Sequence, residues 1–308
     1  QYMGDGINGR AITGAGFRPE AVIIKVEVQT FSDPQACWTS QALKDIVGLP
    51  AYTIAMDGNW ADAYSIKSLD IDGFTIGNSD RTNRDQILYN WIAFISNGSS
   101  DFKNGSYTGD GSSPRSITGI GFQPDLVFVQ GTSGFSRTRF RHKDDVGDVT
   151  HDLSNLSDIT GGITSFDLDG FTLGSDTNIN SSGIIYHYVV MKTSTSTFAQ
   201  GTYLGNGVNR SITGLSFDPD FVLVKNDTTS TDKAVFLTRT TTSGESHYFT
   251  GSVDVTNRIT SLNSDGFSVG TAVEVNTSGD TYMWMAWNDA TAPAVVTSNA
   301  AMLKPLSF

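Results

Sequence analysis

The sequence predicts an all-β protein: three tandem antiparallel, jelly-roll-like β-sandwich domains related by an internal repeat. Three observations carry this expectation. One long pattern recurs three times, short runs alternate apolar and polar residues with a period of two, and turn-forming residues are plentiful beside few charges.

The repeat is read directly from the chain. YMGDGINGRAITGAGFRPEAVIIK begins at Tyr2, returns as YTGDGSSPRSITGIGFQPDLVFVQ from Tyr107, and again as YLGNGVNRSITGLSFDPDFVLVK from Tyr203. Arg10, Arg115 and Arg210 form one equivalent set within it. A second block follows each time, SLDIDGFTIG from Ser68, SFDLDGFTLG from Ser165 and SLNSDGFSVG from Ser261. YNWIAF, IIYHYVVM and YMWMAW close the units. The expected domains are 1–98, 103–194 and 199–290, leaving 291–308 as a tail that matches nothing in the other copies. A period of roughly 100 residues is too long for an ordinary solenoid, so each copy should own a core.

Each block has a physical reading. In the first, Phe-x-Pro-acidic is a corner, and the continuously apolar runs after it (Ala21–Ile24, Leu126–Val129, Phe221–Val224) read as strands buried on both faces. In the second, Asp-Gly at 72–73, 169–170 and 265–266 suits a two-residue hairpin turn. That register sets Ile71 opposite Phe74 and Leu69 opposite Ile76, with Leu168 and Phe166 facing Phe171 and Leu173 in copy two. In the third, aromatic residues recur at every second position: Tyr89 and Trp91, Tyr186 and Tyr188, Tyr282 and Trp284. Such a stripe packs against the hairpin as core, or stands exposed as a platform for sugar rings. Copy one alone carries a helix candidate between blocks, Asp33 to Val47, with Asp33 as cap, Pro34 in the first turn and Gly48 at the end.

The composition bounds the chemistry. Formal charge is −12, and the one basic knot (Arg137, Arg139, Arg141, His142, Lys143) runs into Asp144 and Asp145, so it reads as a solvated loop or edge strand and nucleic-acid binding is not expected. The acidity leaves calcium as a conceivable ligand, with no other cofactor called for. A lone cysteine, Cys37, excludes an internal disulfide and a cysteine-based zinc site. No run of about 18 apolar residues exists, so no membrane span is expected. A first residue of Gln1 in place of Met hints at a processed or trimmed chain. No histidine among His142, His151, His187 and His247 recurs in all three copies, and His187 reads as a surface or rim residue. The close pairs Asp70 and Asp72, and Asp167 and Asp169, are explained by the hairpin turn better than by glycosidase chemistry. No catalytic site is assembled, and no enzyme is expected.

The first two blocks together resemble an uncharacterised repeat of tail-fibre and other structural proteins of environmental bacteriophages. The resemblance implies a β-sandwich building unit of a virion appendage or extracellular fibre, and carries no catalytic residues. The expected function is therefore a self-assembling structural subunit, extracellular or in a virion, whose partners are copies of itself. The apolar tail residues Val295, Val296, Met302, Leu303, Leu306 and Phe308 are the expected assembly contacts. The alternative is an adhesin that binds cell-surface glycans through the aromatic stripe.

Overall fold

A computed structural model describes residues 1–27, 35–46, 52–58, 61–96, 101–132, 136–194, 196–241 and 244–288. The tail contacts expected at 291–308 lie outside the described residues. The strands form six antiparallel sheets, a long and a short one in each of three units. In the second unit the eight strands run Phe102–Thr108, Arg115–Thr118, Leu126–Gly131, Arg139–His142, His151–Asp152, Ile163–Asp167, Gly170–Leu173 and Ile185–Met191. The first, eighth, third, fourth and fifth form the long sheet in that order, and the second, seventh and sixth form the short one. The third unit repeats this order, and the first adds one short strand, Ala61–Asp62, at the edge. The outer pairings are those of a jelly roll. Strands three to five depart from it, running on as a meander within one sheet.

Each repeat residue has a structural task. Tyr2, Tyr107 and Tyr203 stack on Tyr89, Tyr186 and Tyr282 with ring centroids 5.3, 5.3 and 5.2 Å apart. Arg10, Arg115 and Arg210 lie over the first ring of each pair. A single helical turn precedes the eighth strand (Asp80–Asn83, Thr177–Asn180, Val273–Asn276) and ends on a buried asparagine. Asn180 donates to Gly174 O and Ser112 O, both at 2.8 Å, and accepts from the Asp110 amide at 3.1 Å. Asn83 and Asn276 make the same three bonds.

The hairpin register differs from the one expected. Leu69 pairs with Phe74 and Asp70 with Gly73, so the two-residue loop is Ile71–Asp72 and not Asp72–Gly73. Ile71 and Leu168, expected inside, are 88% and 87% exposed. The cause is the aspartate. Asp72 accepts from the amides of Gly14 and Gly16 at 3.2 and 2.7 Å, and Asp169 and Asp265 hold their own neighbouring loops likewise. The glycine then begins the returning strand at φ +136, +148 and +156 in the three copies. A Cβ on Gly73, Gly170 or Gly266 would stand 2.0, 1.9 or 1.9 Å from the carbonyl oxygen of Ile12, Ile117 or Ile212.

The helix expected over 33–47 is also revised. Asp33, Pro34, Val47 and Gly48 lie outside the described residues. Between them Cys37–Ser40 is the fourth strand of the long sheet, and only Gln41–Lys44 is helical, capped by Ser40 Oγ accepting from the Leu43 amide at 3.2 Å. Pairing with the third strand, as Arg139–His142 and Val235–Thr238 pair in the other units, overrides the local capping signal.

Each unit has its own core between long and short sheets. A further core lies where the three long sheets meet, with Ala21, Ile23, Trp38 and Phe94 from the first unit, Leu126, Phe128 and Met191 from the second, and Phe221, Leu223 and Trp287 from the third. This explains the apolar runs: Val22 and Ile24 face inward within the unit, while Ala21 and Ile23 face the shared core. Equivalent positions there are filled by unequal side chains, Ala21, Leu126 and Phe221 in one set, leaving an apolar space of about 30 Å³. A void of that size without polar lining has no partners to hold a water.

The units close into a ring. Thr138 N donates to Met56 O at 2.9 Å, Ala234 N to Leu153 O at 3.0 Å, and Ala36 N to Phe249 O at 3.0 Å. These are one bond repeated three times, from unit two to one, three to two, and one to three.

Two stability effects follow. Gly170→Ala should cost about 3 kcal/mol or more in urea unfolding, since its Cβ meets backbone and its φ is strained. Gly119→Ala, with nothing within 4 Å of its Cβ, should cost clearly less. Trp287 touches Phe94, Phe198 and Phe221, with its indole N–H 3.2 Å from Met191 Sδ, and so joins all three units. Trp287→Ala should cost about 3–5 kcal/mol by the same measurement.

Candidate functional site

The aromatic stripe does not offer a sugar platform. Tyr89, Trp91, Tyr186, Tyr188, Tyr282 and Trp284 are all buried within the unit cores. Strand alternation points them at the short sheet, where Phe74, Phe171 and Phe267 meet Trp91, Tyr188 and Trp284 edge-on at 5.5, 5.5 and 5.9 Å. Of the alternate residues of the same strand, Asn90 and His187 meet the neighbouring unit, and Met283 joins the shared core. Chemistry-bearing side chains therefore gather at the three seams of the ring.

At the seam of units one and two, Gln130 accepts from the Trp38 indole and donates to Ala55 O at 2.8 Å. His187, expected at the surface, is fully buried against Trp38 with ring centroids 4.3 Å apart, and its Nδ1 lies 3.4 Å from Ser40 Oγ. Burial alone pushes its pKa down to about 3. Cys37 is buried, and burial raises its thiol well above the usual range.

The other two seams share a motif that a search for residues common to all three copies misses. His151 and His247 occupy one equivalent position, each with an aspartate seven residues on, Asp158 and Asp254; copy one has Ile54 there. That spacing, repeated in two copies, was the available signal. At the seam of units three and one, His247 Nδ1 meets Asp254 Oδ2 at 2.9 Å, while Nε2 lies 3.1 Å from Thr241 Oγ1, 3.2 Å from Asn90 Nδ2 and 3.6 Å from Glu27 Oε2. Asp254, His247 and Thr241 have the order of an acid–base–hydroxyl triad. The imidazole is wholly buried, and groups of both units crowd its Nε2, so a substrate carbonyl has no approach.

At the seam of units two and three, His151 lies between carboxylates. Asp158 Oδ2 is 3.1 Å from Nδ1; Asp145 Oδ1 and Asp227 Oδ1 are 3.1 and 4.0 Å from Nε2. Burial disfavours the charged ring, but the flanking Asp145 and Asp158 more than reverse this and hold its pKa up at about 9. Burial also raises the Asp227 carboxyl above its ordinary value. The basic knot is not a solvated loop: Arg139–His142 is a buried strand, with Arg141 donating to Val149 O, Ile163 O and Gly147 O.

The paired hairpin carboxylates are fully engaged. Asp70 accepts from Ser68 and Thr75, Asp167 from Ser165 and Thr172, and Asn263 takes the same place in unit three. Backbone amides of Gly121 and Gly119 hold the Asp169 carboxyl below its usual range. No helix of the described residues is long and apolar enough to cross a membrane.

An all-β scaffold of repeated two-sheet units, closed through polar seams, is the class these observations define. Residues 97–197 and 193–302 each match the family described as Domain of unknown function (DUF7483), and the chain belongs to that family. No curated protein and no solved structure matches the chain.

The His187 shift has a sign. Its folded pKa is depressed below the unfolded value of 6.5, so its contribution is whole above that pH and is lost as pH falls from 6.5 toward 3. Between pH 7 and pH 5 the folded chain should lose about 2 kcal/mol relative to a His187→Met variant, which places the side chain of the equivalent Met283 there. Chemical denaturation of both chains across that range measures the difference.

Proposed function

We propose that the chain is a non-enzymatic structural subunit of an extracellular filament or virion appendage, assembling with copies of itself. The observation that supports this most is the ring closure. Three fused units share a fourth core, and buried side chains at the seams are committed to holding units together. Chemistry-bearing groups are spent on the scaffold: the turn aspartates Asp72, Asp169 and Asp265 on backbone amides, the asparagines on helical turns, and His187 and His247 on inter-unit contacts. The bacteriophage setting belongs to this proposal as well, on the strength of the repeat's resemblance to fibre proteins.

The ring limits how copies can join. In the closed ring the seam surfaces are used within the chain, so contacts between closed chains fall on the outer faces, the loop ends, or the tail from 291 onward. Negative-stain imaging and light scattering of the purified chain test this. Concentration-dependent filaments or stacked particles are expected, lost on truncation after residue 290 with the melting midpoint kept. Single rings at every concentration would overturn the assembly reading.

A further inference from the structure

We propose that the seam of units two and three binds one divalent transition-metal ion of the zinc class, held by the Asp145 carboxylate, His151 Nε2 and the Asp227 carboxylate. The three ligand atoms lie within 4.8 Å of one another. A tetrahedral ion with bonds of about 2.0–2.1 Å sets its ligands roughly 3.3 Å apart. Asp145 Oδ1, at 3.1 Å from His151 Nε2, already satisfies that spacing. Asp227 Oδ1, at 4.0 Å, has to close by less than about 1 Å, and its side chain is 39% exposed.

The surroundings are built for this role. Asp145 is fixed by its other oxygen, which accepts from the His142 amide at 2.8 Å, leaving Oδ1 aimed at the imidazole. Asp158 stands behind the ring at Nδ1, the place where an outer carboxylate orients a metal-binding histidine. His151 is completely buried, and although a carboxylate oxygen stands 3.1 Å from each ring nitrogen, neither makes an aligned hydrogen bond among the described residues, so a metal ion at Nε2 would take the place of the proton held there. A buried polar atom in that state calls for an explanation.

The chain supplies its own comparison. At the seam of units three and one the same His–Asp pair recurs, but Thr241 stands where unit two has Asp145. There the hydroxyl and Asn90 engage Nε2. Exchanging the hydroxyl for a carboxylate removes that partner and adds a second anionic ligand. A nitrogen donor with two carboxylates suits zinc or its neighbours better than calcium, which prefers an all-oxygen cage. Asp145 and His151 belong to unit two and Asp227 to unit three, so the ion would tie the units together and leave a fourth position for water.

The full chain, stripped with a chelator and dialysed against zinc, tests this by metal analysis, calorimetric titration and thermal melting. One zinc per chain and a raised melting midpoint are expected. Asp145→Thr, which installs the residue of unit three, and Asp227→Asn should each weaken zinc binding at least 100-fold while keeping the parent's circular dichroism. Asp158→Asn should weaken it about 10- to 100-fold, and Asp254→Asn at the other seam should leave it unchanged. Should Asp145→Thr fail to fold, the half-exposed Asp227 still decides. No zinc retained by the parent, or zinc retained equally by Asp145→Thr and Asp227→Asn, overturns the site. An equal midpoint rise with calcium overturns the choice of metal.

Discussion

A sheet that is apolar on both faces must be covered on both. The long sheet of each unit is such a sheet: Val22 and Ile24 are covered by the short sheet, but Ala21, Ile23 and Phe94 are not. A single sandwich would leave that second face in water, at roughly 25 cal/mol per Å² of apolar area. Three units arranged so that their long sheets meet cover one another, and the shared core, the seams and the ring all follow from that requirement. In a threefold ring of identical subunits the same side chain would meet itself at the centre. Tandem copies escape this, and Ala21, Leu126 and Phe221 divide the space unequally.

Much of the fold was legible in the residues. The apolar runs after the Phe-x-Pro corners announced doubly buried strands, and the alternation of Tyr89 with Trp91 announced a strand with an inward aromatic face. The hairpin was recognisable, but its register was set by a contact distant in sequence: Asp72 reaches the amides of Gly14 and Gly16, and that fixes which residues make the loop. The region near Cys37 carried capping signals for a helix, and the neighbouring strand overrode them. Local propensity loses there to a pairing made across the sheet.

The seams were least legible, because they join residues of different copies. His151 reads alone as an isolated histidine, and only the ring brings Asp227 of the next unit to its edge. The seams also differ where the cores agree. Ile54 stands where the others have His151 and His247, and Gln130 stands where the others have Lys25 and Lys225. Buried polar groups of unlike kind penalise mismatched neighbours, since a misplaced unit would leave ionisable groups without their counterparts. The order of units around the ring is thus written into the seams.

The last seam has a kinetic consequence. Units one and two can meet as soon as both exist, whereas the contact from Ala36 to Phe249 waits for the third unit to be made. Until then Lys25, Glu27 and Asn90 have no third unit over them. A neighbouring chain whose third unit is made but not yet docked offers the same complementary surface. Closure within the chain wins when the effective concentration of its own third unit exceeds that of others. At high density the same bond, formed between chains, would give a domain-swapped series whose every link is native, held by no interface beyond those already in the monomer.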